Sequence, residues 1–287
     1  MSSEQWNGRR LSIRCSVLPA SLLVLTAHFS LLTAVLAQSS SPGISDNSFL
    51  IEEAYNQDPG VVQHISNFSR ADEGGSWAFS FTQEWPLRGL RHQLSYSVPL
   101  QHDDGTGIGD IALNYRYQLL GSADARVAAA PRLTLLLPTG NEQRGRGSGG
   151  LGFQTNLPLS FMAAPRLATH WNAGLTLIPS ATDGLGNAAT TVSYNLGASG
   201  IWLIRPSFNL MLELVWLSNE SATGAGLTER SETLLLNPGI RWAFNFPSGL
   251  QIVPGIAYTF GLESQDTDAL FLYLSFEHPF KAVRSEK

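Results

Sequence analysis

Asp110-Ile111-Ala112-Leu113-Asn114-Tyr115-Arg116-Tyr117-Gln118-Leu119 alternates without interruption, and the alternation decides the fold. Successive side chains of a strand point to opposite faces. Ile111, Leu113, Tyr115, Tyr117 and Leu119 therefore share one face, and Asp110, Ala112, Asn114, Arg116 and Gln118 share the other. The first face suits hydrocarbon; the second carries charge, amides and one small residue. The same division recurs along the chain. Leu151, Phe153, Leu157 and Phe161 oppose Gln154, Asn156 and Ser160; Trp171, Leu175 and Leu177 oppose His170, Asn172 and Thr176. Tyr194, Leu196 and Trp202 oppose Ser193, Asn195 and Ser199; Leu210, Leu212 and Leu214 oppose Asn209, Met211 and Glu213. Leu234, Leu236, Ile240 and Trp242 oppose Asn237 and Arg241; Ile252, Ile256, Tyr258 and Phe260 oppose Gln251, Gly255 and Thr259.

The connections between these stretches alternate in length. Long polar ones cover residues 101–107, 139–149, 179–189, 218–231 and 262–268. Short ones lie at 86–89, 121–124, 163–165, 205–207 and 247–249. Long loops at one rim and tight turns at the other are the habit of an up-and-down barrel in an outer membrane. A soluble β-sandwich also alternates, since one face of each sheet is buried. Against it stand the apolar outward set on every strand, Trp and Tyr near strand ends, and an inward set that suits a wet lumen. The expected fold is all-β: a transmembrane antiparallel barrel of about twelve strands. An even count requires residues 62–69, the poorest alternation in the chain, as the first strand. Leu270, Leu272, Leu274, Phe276 and Phe280 form one apolar register at the end. That register resembles the signal read by the outer-membrane assembly machinery, an expected partner.

The chain divides accordingly. Residues 1–37 read as an export signal, with Arg9, Arg10 and Arg14 ahead of an apolar run and Val35-Leu36-Ala37 at the cleavage position. Residues 38–61 form a periplasmic segment, 62–280 the barrel and 281–287 a tail. Within the periplasmic segment, residues 49–55 read as a short helix, with Asp46 or Asn47 as its cap. Phe49, Leu50, Ile51 and Tyr55 are too apolar to sit in water, which makes them a candidate plug in or under the periplasmic mouth. Cys15, the single cysteine, lies in the signal, so no disulfide is expected.

A net charge of -5 speaks against a nucleic-acid binder. Asp103, Asp104, Asp266 and Asp268 lack the spacing of a calcium loop and read as solvated. Residues 139–150 are Gly-rich, but a strand follows them where a phosphate loop needs a helix. Arg144 and Arg146 there could meet lipopolysaccharide phosphates. No cofactor or metal is implied. The candidate site is the lumen itself: Asp110, Arg116, Arg132, His170, Glu213 and Arg241 project inward. Charges at membrane depth need partners or water. They form a constriction that sorts solutes, a set of interior ion pairs, or both. A lipid-processing enzyme on the same scaffold is the alternative. It is not favoured, because His92, His102, His170 and His278 are scattered and no Gly-x-Ser-x-Gly elbow is present.

Three stretches carry a resemblance. They are Phe49-Leu50-Ile51-Glu52-Glu53-Ala54-Tyr55-Asn56-Gln57-Asp58-Pro59-Gly60-Val61-Val62-Gln63-His64, Gly107-Ile108-Gly109-Asp110-Ile111-Ala112-Leu113-Asn114-Tyr115, and Pro131-Arg132-Leu133-Thr134-Leu135-Leu136-Leu137-Pro138-Thr139-Gly140-Asn141. Together they resemble a family of bacterial outer-membrane transporters of the MetA-pathway phenol-degradation type. The resemblance implies passive passage of small aromatic or other hydrophobic solutes and supplies no catalytic residues. Lipids and lipopolysaccharide of the outer membrane are the surroundings it implies.

Overall fold

The computed structural model describes residue 44 and residues 48–280, apart from 88, 123–124 and 264–266. The export signal, the cap residues Asp46 and Asn47, and the tail lie outside the described residues. So does Asp266.

Sixteen strand segments make one antiparallel sheet: β1 (Val61–Ala71), β2 (Trp77–Pro86), β3 (His92–His102), β4 (Thr106–Ile108), β5 (Ile111–Tyr117), β6 (Val127–Ala129), β7 (Arg132–Leu137), β8 (Gly152–Asn156), β9 (Leu159–Ala164), β10 (Leu167–Thr182), β11 (Ala188–Arg205), β12 (Phe208–Gly224), β13 (Leu227–Trp242), β14 (Phe244–Asn245), β15 (Gln251–Gly261) and β16 (Ala269–Pro279). Four of them only extend a neighbour: β4 leads into β5, β6 into β7, β8 into β9, and β13 into β14. The result is a closed barrel of 12 staves. Its last seam joins first strand to last, from Val61↔Pro279 to Ala71↔Ala269. The weakly patterned first strand is therefore fully paired, with β16 on one side and β2 on the other. Closure leaves no unpaired sheet edge in hydrocarbon, which is the condition for crossing a membrane with strands. Two of the four breaks hold a proline, which has no N–H to give the ladder: Pro131 between β6 and β7 and Pro158 between β8 and β9.

The interior is polar and the exterior apolar. Trp171 and Leu212 are each 51% exposed, whereas His170, Glu213, Asn237 and Arg241 are each 0% exposed. A soluble protein inverts that order.

Two expectations need correction. Residues 218–231 are not a loop: β12 and β13 stay paired from Ser218↔Glu232 to Ala222↔Thr228 and turn tightly at Ala225 and Gly226. Polar, Thr- and Ser-rich strands above the membrane look like loop in a hydropathy reading. Residues 49–55 form no helix; they run as bends and extended backbone. Five of their seven amide hydrogens, those of residues 49–52 and 54, are spoken for by side chains of the barrel wall and are lost to the i→i−4 ladder of a helix.

Candidate functional site in the filled lumen

Residues 48–57 cross the inside of the barrel. A segment without its own secondary structure must find partners for every buried N–H and C=O, and the inward side chains provide them. Phe49, Leu50 and Ile51 donate consecutive backbone N–H groups to Glu213 Oε1 at 3.0, 3.0 and 3.2 Å. Asn237 Nδ2 donates to the other oxygen at 2.7 Å. Three successive amides around one carboxylate oxygen make an anion nest. Asn172 grips residue 52 twice, accepting from its N–H at 2.9 Å and donating to its C=O at 2.7 Å. The N–H of Ala54 reaches Ser160 Oγ at 2.8 Å, that of Asn56 reaches Gln118 Oε1 at 2.8 Å, and that of Gln57 reaches Gln93 Oε1 at 2.7 Å. Upstream, the carbonyl of Ile44 accepts from Arg241 Nη2 at 2.9 Å and from Asn209 Nδ2.

The apolar side chains of the segment sit where the wall has no side chain. Phe49 lies over Gly239 and Gly255, and a Cβ on either glycine would come within 2.5 Å of its ring. The ring packs on Phe271 and Tyr273 with centroids 5.6 and 5.5 Å apart. Ile51 fills the hollow of Gly197, whose Cβ would overlap its Cδ1. Alternation marks these glycines as inward and small but cannot show that another segment needs the space.

Arg116 is the second anchor. Its guanidinium lies 3.2 Å from both Glu52 Oε1 and Glu53 Oε1 and 3.6 Å from Glu84 Oε2. It also donates to Asn56 Oδ1 at 3.0 Å and to the Tyr55 carbonyl at 2.6 Å. Charges taken out of water cost several kcal/mol each and survive only with close partners. Here one partner, Glu84, comes from the wall and the other four from the inserted segment. Arg132 Nε lies 3.0 Å from Glu52 Oε2, an ion-pair distance without hydrogen-bond alignment. Its remaining nitrogens donate to Asn114 Oδ1 at 3.0 Å and Gln154 Oε1 at 3.1 Å.

Five of the six inward residues read from the sequence thus gather around residues 44–57. The fifth is His170, whose Nδ1 is 2.7 Å from Ser160 Oγ and whose ring meets Tyr55 edge-on at 5.9 Å. Asp110 is elsewhere. It lies between β4 and β5 and accepts from the N–H of Gly140 at 3.0 Å and of Ser148 at 2.8 Å. It thereby ties down the loop after β7 and does not face a constriction. The sequence reading set Asn172 and Asn237 inward without singling them out as site residues, and it gave no role to Glu52, Glu53 and Glu84. Inward parity marks Glu84, Asn172 and Asn237, whereas nothing periodic marks Glu52 and Glu53. His92 and His102 belong to outward aromatic pairs, His92 with Tyr115 Oη at 2.7 Å and His102 on Trp77 at 5.5 Å. His102 Nδ1 also meets Thr106 Oγ1 at 3.0 Å, at the exposed rim.

Cavities remain on the long-loop side of the segment. One of about 270 Å³ is lined by Leu50, Glu52, Arg132, Asn172 and Asn195. One of about 220 Å³ shares Leu50, Glu52 and Arg132 with it. A third, of about 320 Å³, lies over Phe49 and Phe271. A fourth, of about 380 Å³, opens at the rim between Trp77, His102 and Arg146.

A closed antiparallel barrel with a hydrocarbon-facing exterior and a polar lumen is an outer-membrane β-barrel protein. The chain belongs to the family described as "Putative MetA-pathway of phenol degradation", whose sequence profile matches residues 40–271. Among solved structures it is similar in fold to the COG4313 outer membrane channel from Pseudomonas putida F1. That match has a TM-score of 0.58 and 14% identity, over 78% of this chain and 97% of the other. It is also similar to the NanC porin, with a TM-score of 0.52 and 10% identity over 76% of this chain and 99% of the other. No curated protein matches the sequence.

Proposed function

We propose that the protein is an outer-membrane channel for passive uptake of small hydrophobic or aromatic molecules. Residues 48–57 act as its plug. The observation that carries the reading is the lumen itself. A polar barrel interior is crossed by a segment held through side-chain hydrogen bonds, with cavities against the segment on its long-loop side. Family membership supports aromatic solutes. Arg116, Arg132, Glu213 and Arg241 hold the plug and set the constriction around it. Each hydrogen bond of the plug contributes about 0.5–1.5 kcal/mol net, and those to charged groups about 1.5–3. The closed state is therefore stable, yet it gives way stepwise. Catalysis is not part of this reading. Ser160 and His170 are paired, but both are 0% exposed and lie beneath the plug. The apolar outer belt meets lipid. Arg144, at the long-loop rim, meets lipopolysaccharide phosphates. The β16 register is what the assembly machinery reads.

Purified protein in planar bilayers is expected to conduct ions, and porin-depleted cells that express it are expected to take up radiolabelled phenol faster than cells that do not. A dense bilayer together with unchanged uptake would overturn the reading. Phospholipid hydrolysis lost in His92→Ala or His102→Ala would point to the enzyme instead.

A further inference from the structure

The charges that meet at Arg116 do not balance. Glu52 and Glu53 come from the inserted segment and Glu84 from β2; Arg116 and Arg132 stand against these three carboxylates. Glu52 takes the larger share. Its Oε1 lies 3.2 Å from Arg116, and its Oε2 lies 3.0 Å from Arg132 and accepts from Asn156 Nδ2 at 2.8 Å. Glu53 and Glu84 are left with Arg116, at 3.2 and 3.6 Å. Gln93 Nε2 also donates to Glu84 at 2.8 Å, but it is neutral. Among the described residues, no further cation pairs with Glu53 or Glu84. Glu213 is taken up by the amides of residues 49–51, His170 lies against Tyr55 and Ser160, and Gln63 stands between Glu277 and Gln57. The cavity of about 220 Å³ is lined by all five charged residues of the cluster, so a proton can reach them.

A carboxylate out of water and short of a counter-ion favours its protonated form. Burial, opposed by Arg116 and reinforced by Glu84 and Glu52, pushes the Glu53 carboxyl up to about 7. Glu53 belongs to the segment and not to a strand. Withdrawal of the segment returns it to water and to the ordinary value of about 4.3. The docked segment therefore holds a proton that the withdrawn one releases. Its contribution to docking is fully present below the free value and is lost as pH rises through the docked one.

We propose that residues 48–57 form a pH-operated gate, a reading that rests on the plug and gives it a regulator. The segment seats on Glu84 and Arg116 in mildly acidic surroundings and leaves as they turn alkaline. A gate closed by balanced ion pairs does the reverse, because acid removes its carboxylates.

The test is the potassium chloride current in planar bilayers between pH 5 and pH 8. The ratio of open to closed time is expected to rise at least about tenfold over that range. Glu53→Gln puts an uncharged amide in place of the protonated acid, and it is expected to hold the closed fraction of pH 5 throughout. Glu84→Gln also leaves two carboxylates against two guanidiniums and is expected to flatten the response. Glu220→Gln, at the long-loop end of β12, is expected to keep the wild-type response. Hydrogen–deuterium exchange at residues 50–56, corrected for the intrinsic rate, reads the segment without any current. Protection is expected to be higher at pH 5 than at pH 8. Opening on acidification, or a Glu53→Gln variant with the wild-type response, would overturn the gate. Constant protection in a protein that conducts would overturn the gate and leave the channel. Protection that follows pH in a protein that passes no current would overturn the channel and leave the pH response of the segment.

Discussion

Glu213 shows how one residue can be legible in sequence while its role is not. Its place among Asn209, Met211 and the outward leucines of β12 fixes the direction of its side chain. Nothing in that strand says that three backbone amides from residues 49–51 will close on the carboxylate. Those donors come from a segment with no period, 162 or more positions away. Glu213→Ala leaves a nest of buried amides without an acceptor. The expected outcome is faster hydrogen–deuterium exchange at residues 49–51 and a larger single-channel conductance, with the barrel still heat-modifiable on gels. Unchanged exchange would show that Glu213 does not hold the segment. Arg116 was equally readable as inward, and its partners Glu52 and Glu53 equally hidden.

At the scale of elements, the strands were legible and the inserted segment was not. Strands in hydrocarbon must alternate, so the period survives in the sequence. The segment's conformation is dictated by the wall that receives it, and its apolar residues read as a helix only because no other local pattern claims them. The glycines on β11, β13 and β15 form the complementary half. Gly255→Val puts methyl groups where the Phe49 ring lies. Expected is a plug that no longer seats, read as a raised open fraction in bilayer recordings. Gly200→Val is the control, because a Cβ there meets only the Leu212 carbonyl, at 4.0 Å. Equal effects of the two substitutions would remove the case for a seat.

For the whole molecule, lipid on one side and hydrogen-bonding groups on the other made the strand number and the outer face readable. What escaped was the height of the wall. The four staves β10 to β13 run to 16–18 residues, against 10 or 11 for β1, β2, β3, β15 and β16. At about 3.3 Å per residue the difference is roughly 20 Å. Those polar upper strands carry no hydrocarbon signature. The outer face makes its own prediction: Leu212→Arg, placed in lipid, should destabilise the barrel by about 2–4 kcal/mol if it lies near the midplane. Urea unfolding in lipid vesicles measures the loss, and a shift near zero would mean that Leu212 does not face hydrocarbon.

Under the proposed function, residues 48–57 are a stopper on a leash. Only Asp58, Pro59 and Gly60 separate Gln57 from the first residue of β1, and the Val61 N–H to Asp58 carbonyl bond at 3.0 Å keeps that link short. Any excursion of the stopper is therefore intramolecular, and it returns as though it were present at millimolar concentration. Resealing needs no second molecule and no energy source, and its rate is independent of how many copies the cell makes.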